Sequence, residues 1–152
     1  MSFHFTIRKY RDADCGEISR LFYETIHAVN ARDYTQKQLF AWAENEEKLQ
    51  TRKDDLAAQY TLVAERDGSI VGFGSIDNSG CLDLLYVHKD YGRRGIATAL
   101  CDGLEQGFLR IKTYASVTAK PFFEKRGYAV VKAQEVERAG VKLKNYEMLK
   151  EI

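Results

Sequence analysis

The stretch CLDLLYVHKDYGRRGIATAL, residues 81–100, places a strand, a glycine turn and a helix in direct succession. Cys81 to Val87 has few polar residues, as expected of a strand in the middle of a sheet. Gly92-Arg93-Arg94-Gly95 follows, with two glycines around two arginines. Ile96, Leu100, Leu104 and Phe108 then recur four apart, which predicts a helix from Ile96 to about Ile111 with one buried stripe. Such a junction is a ready anion site. Helix N-termini carry unpaired N–H groups and the positive end of the dipole, and glycine lets a ligand approach the backbone. Arg93 and Arg94 add charge-assisted donors. The same turn elsewhere is often only a tight turn with solvated arginines, so the rest of the chain decides. No Lys-Ser/Thr pair follows the glycine as in a P-loop, and no Gly-x-Gly-x-x-Gly is present.

Upstream, Tyr60 to Glu65 and Ile70 to Ile76 read as strands around the hairpin signal Asp67-Gly68, and Asn78-Ser79-Gly80 turns into Cys81. Phe3 to Lys9 alternates and reads as the first strand. Asp12 or Asp14 can cap a helix whose Ile18, Leu21, Phe22, Ile26 and Val29 share a face. Thr35 with Gln38 forms a capping box for a second helix carrying Leu39, Phe40 and Trp42. Residues 44–58 are charged and weakly patterned, a short helix and loop. Downstream come a strand at Thr113 to Val117 and a short helix at Thr118 to Arg126, with Pro121 in its first turn and Gly127 as its C-cap. Strands at Ala129 to Val136 and Val141 to Leu149 close the chain around Gly140. The order β-α-α-β-β-β-α-β-α-β-β predicts an α+β domain on one mixed sheet, spanning residues 1–152 without a linker.

Bulk properties bound the function. The chain has 152 residues, 45% hydrophobic and 30% charged, which suits one soluble domain. A net charge of +1 supplies no global field for nucleic acid or an anionic membrane, so neither is expected as a partner. The start, MSFHFTIRKYRDAD, lacks a signal-peptide core, and the expected location is cytoplasmic. Cys15, Cys81 and Cys101 have no CxxC or metal-ligand spacing, so reduced thiols and no metal are expected.

Taken together, the segments resemble one family. LDLLYVHKDYGRRGIATALCDGLE (82–105) is similar to the acyl-coenzyme A binding motif of the GNAT (Gcn5-related) N-acetyltransferases, Gln/Arg-x-x-Gly-x-Gly/Ala after a strand. Arg94-Gly95-Ile96-Ala97 matches its second half. ASVTAKPFFEKRGYAVV (115–131) resembles the family's second block, Asn-x-x-Ala-x-x-Phe-Tyr-Glu-Lys-x-Gly-Phe, through Ala119, Phe122, Glu124, Lys125 and Gly127. The element order agrees over nearly the whole chain.

The resemblance implies a GNAT fold: a mixed, mostly antiparallel β-sheet flanked by helices, with splayed central parallel strands. It also implies acetyl-coenzyme A as cosubstrate. Backbone N–H groups of Gly92, Arg93, Arg94, Gly95, Ile96 and Ala97, with Thr98 in the first helical turn, would hold the pyrophosphate. Pantetheine would lie along Leu85, Tyr86 and Val87, and the short helix at 118–126 would pack beside it. Three positions depart from the family pattern. Gly92 stands at the Gln/Arg position, Ser116 at the Asn position, and Phe123 at the frequent tyrosine that protonates the leaving thiolate. Phenylalanine has no proton to give, so Tyr114, Tyr128, Ser116 or water is left for that role. A thiol with a pKa of about 8.5 is a tolerable leaving group near neutrality, and a general acid contributes ~10²–10⁴-fold.

The implied reaction is direct attack of an amine on the thioester in a ternary complex. An alkylammonium, with a pKa of ~10.4, must first lose a proton. Relatives often place a carboxylate on the strand before the loop; Asp83 is the only one within CLDLLYV, and Asp77 is next. Relatives also line the acceptor side with the first helix and the loop after it. Tyr23, His27 and Asn30 share a helical face there, and Tyr34 and Trp42 follow. His4 and His88 read as surface or strand-edge residues, and Lys120, Lys125 and Arg126 mostly as a solvated helix face, although one of these three cations has the reach for an adenosine phosphate. The expected activity is acetyl transfer to a primary amine of a small molecule or peptide, in a chain with the option of a homodimer. The other reading is an acyl-coenzyme A binding sensor of the same fold with weak or no transfer, motivated by Gly92 and Phe123.

Overall fold

The structure is a computed structural model and describes residues 3–152. Seven strands form one sheet: β1 (Thr6–Lys9), β2 (Tyr60–Arg66), β3 (Ser69–Ile76), β4 (Cys81–Val87), β5 (Arg110–Ser116), β6 (Ala129–Arg138) and β7 (Val141–Glu151). Their spatial order is β1-β2-β3-β4-β5-β7-β6. Five helices cover the sheet: α1 (Cys15–Ala28), α2 (Gln36–Trp42), α3 (Lys53–Ala58), α4 (Ile96–Leu104) and α5 (Lys120–Lys125). Ile18, Phe22 and Ile26 of α1 pack with Phe73 and Leu84 in one core cluster; Ile96, Leu100 and Leu104 of α4 pack with Ile111 and Met148 in another. Covered by helices on both faces, β3 is buried from Ile70 to Ile76.

Local chemistry explains the junctions. Asp67 and Gly68 both have positive φ, 51° and 80°, the twist that a two-residue hairpin needs between β2 and β3. The Thr35–Gln38 capping box forms as predicted, with Gln38 N–H donating to Thr35 Oγ1 at 3.2 Å and Thr35 N–H donating to Gln38 Oε1 at 2.9 Å. Gly72 and Gly74 let α4 lie close against the sheet. A Cβ at either position would come within 2.7 Å of Ile96 Cγ2 or Leu104 Cδ1. This close packing fixes where the first turn of α4 sits relative to β4.

Adjacent strands pair antiparallel everywhere except between β4 and β5. That parallel pair has only two register positions, Cys81↔Lys112 and Leu82↔Thr113. Thr113 Oγ1 clamps it by donating to Leu82 O at 2.9 Å. Beyond Leu82 the strands part, leaving one edge of β4 without a strand partner. The predicted splay between parallel strands is therefore present.

Several predicted boundaries shift. The helix expected to reach Ile111 ends at Leu104, because Gly107 takes φ 87° and β5 already begins at Arg110. Phe108, expected on the helical stripe, instead lies against Gly80, whose added Cβ would sit 3.2 Å from Phe108 Cδ1. Asp14 does not cap α1 through its side chain; it accepts from Arg11 N–H at 2.8 Å and pairs with Arg8 at 2.9 Å. Arg126 is no solvated residue. Its side chain is 13% exposed and bonds Glu105, which also accepts from Tyr128 and Lys150. Among the described residues no helix is long and apolar enough to cross a membrane.

Candidate active site

At the end of β4, His88 Nδ1 accepts from Asp90 N–H at 3.1 Å, and one 3-10 turn (Lys89–Tyr91) leads into the glycine segment. Arg93 and Gly95 have φ values of 61° and 82°, so the chain turns sharply twice before α4. Gly95 is the N-cap, and among the described residues no side chain satisfies the first-turn N–H groups. A Cβ at Gly92 or at Gly95 would meet nothing within 4 Å. Gly95 is held by its backbone conformation, whereas Gly92, at φ −62°, is an ordinary position for any residue. A cavity of about 410 Å³ runs from here along β4, lined by Leu85, Tyr86, Val87, Gly92, Arg93, Gly95, Ile96, Ala97 and Thr98. The uncapped helix start and the open space above both glycines suit a phosphate group. Arg94 does not line this cavity; its guanidinium lies 5.3 Å from the centroid of the Phe3 ring.

On the other side of the splay is a second cavity of about 550 Å³, bounded by the 3-10 turn Lys48–Arg52, β6 and β7. The two cavities share Trp42, Leu82, Asp83, Tyr86, Tyr114 and Ser116 as a common wall. Asp83 is the carboxylate on that wall. Both of its oxygens face Arg52, Oδ1 at 3.5 Å from Nη1 and Oδ2 closer still to Nη2. Tyr86 is neutral there: burial pushes its hydroxyl well above the usual tyrosine range, against a smaller opposite effect of a hydrogen bond with Trp42. Tyr114 is 46% exposed on the same wall. Glu147 and Asn145 enter from β7, and Asn145 Oδ1 is buried with no hydrogen-bond partner among the described residues.

The remaining predicted residues fall into three groups. Asn30, Ser116 and Phe123 line the first cavity, with Asn30 Nδ2 3.5 Å from Ser116 Oγ and Phe123 nearly fully buried. Tyr34 lines the second, donating to Lys144 O at 2.6 Å and accepting from Val117 N–H at 2.9 Å. Tyr23, His27, Tyr128 and Asp77 line neither. The His27 ring lies against both Tyr23 and Phe40 in tilted contacts, and His27 Nε2 lies 2.7 Å from Ala43 O, so this face joins α1 to α2. Tyr128 sits behind Phe123 and donates to Glu105 at 2.7 Å; burial first, then that hydrogen bond, push its hydroxyl far up. Asp77 Oδ1 accepts from Ser79 and Cys81 in the turn before β4; burial would raise its pKa, but these bonds hold it below the usual carboxylate range. His88, read as a surface or strand-edge residue, directly follows the end of β4, is partly exposed and lines the first cavity. Arg52, Asn145 and Glu147 escaped the sequence reading. No local motif marks them, because each reaches the wall from an element distant in the chain.

The sequence profile of the acetyltransferase (GNAT) domain matches residues 30–150. The chain belongs to this family. It is 35% identical over 143 residues to the uncharacterized N-acetyltransferase YafP of Escherichia coli (strain K12), covering 93% of each chain. It superposes on a GCN5-related N-acetyltransferase from Rhodopseudomonas palustris with a TM-score of 0.90 and 34% identity, covering 100% of this chain and 98% of that one. The PaiA N-acetyltransferase of Thermoplasma acidophilum, solved in complex with coenzyme A, shares the fold at a TM-score of 0.74 and 20% identity, over 99% and 100% of the two chains. The GNAT fold expected from the motifs is thus the fold of this chain.

Proposed function

We propose that this GNAT protein is an acetyl-coenzyme A dependent N-acetyltransferase that modifies a primary amine of a small molecule or peptide. One observation carries the reading: two cavities meet at the β4–β5 splay across a wall that bears Asp83 and Tyr114. One has the uncapped start of α4 at its end; the other is free for an acceptor. Binding both substrates at once makes the attack effectively unimolecular.

In this reading the N–H groups of residues 92–98 hold the pyrophosphate. The free edge of β4 at Leu85, Tyr86 and Val87 holds the pantetheine arm and brings the thioester to the common wall. The amine enters from the second cavity, its proton passing to Asp83 directly or through water. A C–N bond forms as the C–S bond breaks, and the thiolate takes a proton from Tyr114 or from water. Arg52 fixes the Asp83 carboxylate in place. Tyr128 is no donor here, since its proton is committed to Glu105.

The test is thiol release from acetyl-coenzyme A with a panel of primary amines. Release matched by acetylated amine supports transfer. Tight binding of acetyl-coenzyme A with no amine raising thiol release above the hydrolysis rate would instead favour the binding-sensor reading.

A further inference from the structure

The second cavity has an uneven charge. Lys48 and Arg52 line it from the 3-10 turn, Lys132 and Arg138 from β6, and Lys144 from β7. Lys144 turns its ammonium toward Tyr146, which does not line this cavity, so the other four cations less the carboxylates Asp83 and Glu147 leave an excess of two in a chain of net charge +1. Local partners do not cancel it. Arg52 pairs with Asp83, and Lys48 reaches Glu44 only at 3.9 Å. Among the described residues Lys132, Arg138 and Lys144 make no ion pair: Arg138 donates to Glu137 O at 3.3 Å, and Lys144 stands 5.3 Å from the Tyr146 ring centroid. None of the five lines the first cavity, so coenzyme A phosphates at the α4 turn do not account for them.

The charges are also ordered. Strand register sets Tyr114, Glu147 and Lys132 side by side across β5, β7 and β6. Lys132 is therefore two interstrand spacings, about 10 Å, from Tyr114. The neighbouring row is Ser116, Asn145 and Gln134. The end at the common wall thus offers acceptors: Asp83, Glu147 and the unpartnered Asn145 Oδ1. On β6 the exposed Lys132 stands next to Glu147, and Arg138, six residues further along the strand, is about 20 Å from it.

We propose that the acceptor is a small amine that also carries an oxyanion, a carboxylate or a phosphoryl group. Its ammonium end lies among Asp83, Glu147 and Asn145, where the amine faces the thioester. Its anionic end points outward to Lys132. This rests on the acetyl-transfer reading above and narrows its substrate class.

The test uses matched pairs. Amino acids and aminophosphonates are compared with their amides and parent amines, with thiol release as the readout. The anionic member of each pair is expected to have a kcat/KM higher by about tenfold or more, an advantage that shrinks as salt screens it. The carboxylate and phosphonate arms show which oxyanion fits. In Lys132→Glu the ratio within each pair should collapse by roughly tenfold, since an exposed pairing contributes a few-fold and reversal turns attraction into repulsion, whereas Arg138→Glu should leave it within about twofold. The melting temperature serves as the folding control, and Lys132→Gln gives a milder change in the same direction. Equal or better turnover of the neutral members overturns the proposal. So does a loss of acetyl-coenzyme A affinity in Lys132→Glu, which would give this cation to the donor. Acetylation of acidic peptides alone overturns it too. Where no amine releases thiol, the transfer reading fails separately. Calorimetry of the same pairs on the coenzyme A-loaded chain then tests charge preference directly, and no difference within the pairs sinks it.

Discussion

Gly95→Asp separates what the α4 turn does for the fold from what it does for the ligand. Gly95 has φ 82°, so any L-residue there is strained, and an added Cβ meets nothing within 4 Å. The cost to the free protein is thus backbone strain alone, about 1 kcal/mol. For a chain of this size that lowers Tm by roughly 2–4 °C. The effect on binding is larger. The new carboxylate projects into the space assigned to a pyrophosphate. At about 5 Å and an effective dielectric constant of about 40, each like-charge pair costs ~1.7 kcal/mol. Two phosphate charges give about 3 kcal/mol, or on the order of a hundredfold in Kd. Gly95→Ala carries the same strain without the charge and should lose about tenfold or less. Calorimetric titration with acetyl-coenzyme A, beside a thermal melt, reads both quantities. A folded Gly95→Asp protein that binds within about threefold of the unsubstituted chain refutes the assignment of this turn to phosphate.

Other substitutions probe the common wall and its support. Phe123→Tyr puts a hydroxyl into the first cavity at a nearly fully buried position, and single-turnover rates should rise if thiolate protonation limits the step. Tyr114→Phe should lower kcat by about a hundredfold, at the low end of what a general acid contributes, with little change in acetyl-coenzyme A affinity. Asp83→Asn should lower kcat/KM by about a hundredfold, within what a general base contributes; an unchanged kcat/KM moves the base elsewhere. Glu105→Gln leaves Arg126 and Lys150 without their shared carboxylate, a loss of about 3 kcal/mol. In the unsubstituted chain burial would raise the Glu105 pKa, but hydrogen bonds from Arg126, Tyr128 and Lys150 more than offset it and hold the group below its ordinary 4.5. A carboxylate lowered in this way contributes stability above its unfolded pKa, and that stability is lost as pH falls through the folded value. Urea melts between pH 6 and pH 3 should therefore show a decline beginning near pH 4.5, and Glu105→Gln should remove part of that slope.

The fold was legible where chemistry is local. Asp67-Gly68, the Thr35–Gln38 box and the run 81–87 each carry their conformation within a few residues, and each element forms as expected. The α4 turn was legible for the same reason. The error at the end of α4 came from periodicity: Phe108 keeps the four-residue spacing, but Gly107 breaks the helix and Phe108 packs on Gly80 instead. The site was less legible because its parts are remote in sequence. Asp83 meets Arg52 from 31 positions away, and Tyr114 meets Glu147 only through strand pairing. The cations of the second cavity are spread from Lys48 to Lys144, invisible in a net charge of +1. Tyr23 and His27 share a helical face as read, but there His27 packs on Phe40 and neither residue lines the cavities at the splay.

The central claim is that the turn at 92–98 holds the phosphates of a coenzyme A thioester whose acyl end reaches the common wall. The most direct measurement is calorimetric titration of the purified chain with acetyl-coenzyme A and then with pantetheine, which carries the thiol arm but no phosphate. The account predicts binding near micromolar Kd for acetyl-coenzyme A and a loss of at least about a hundredfold for pantetheine, equivalent to about 3 kcal/mol. Absence of binding at millimolar acetyl-coenzyme A, or equal affinity for the two ligands, would contradict it.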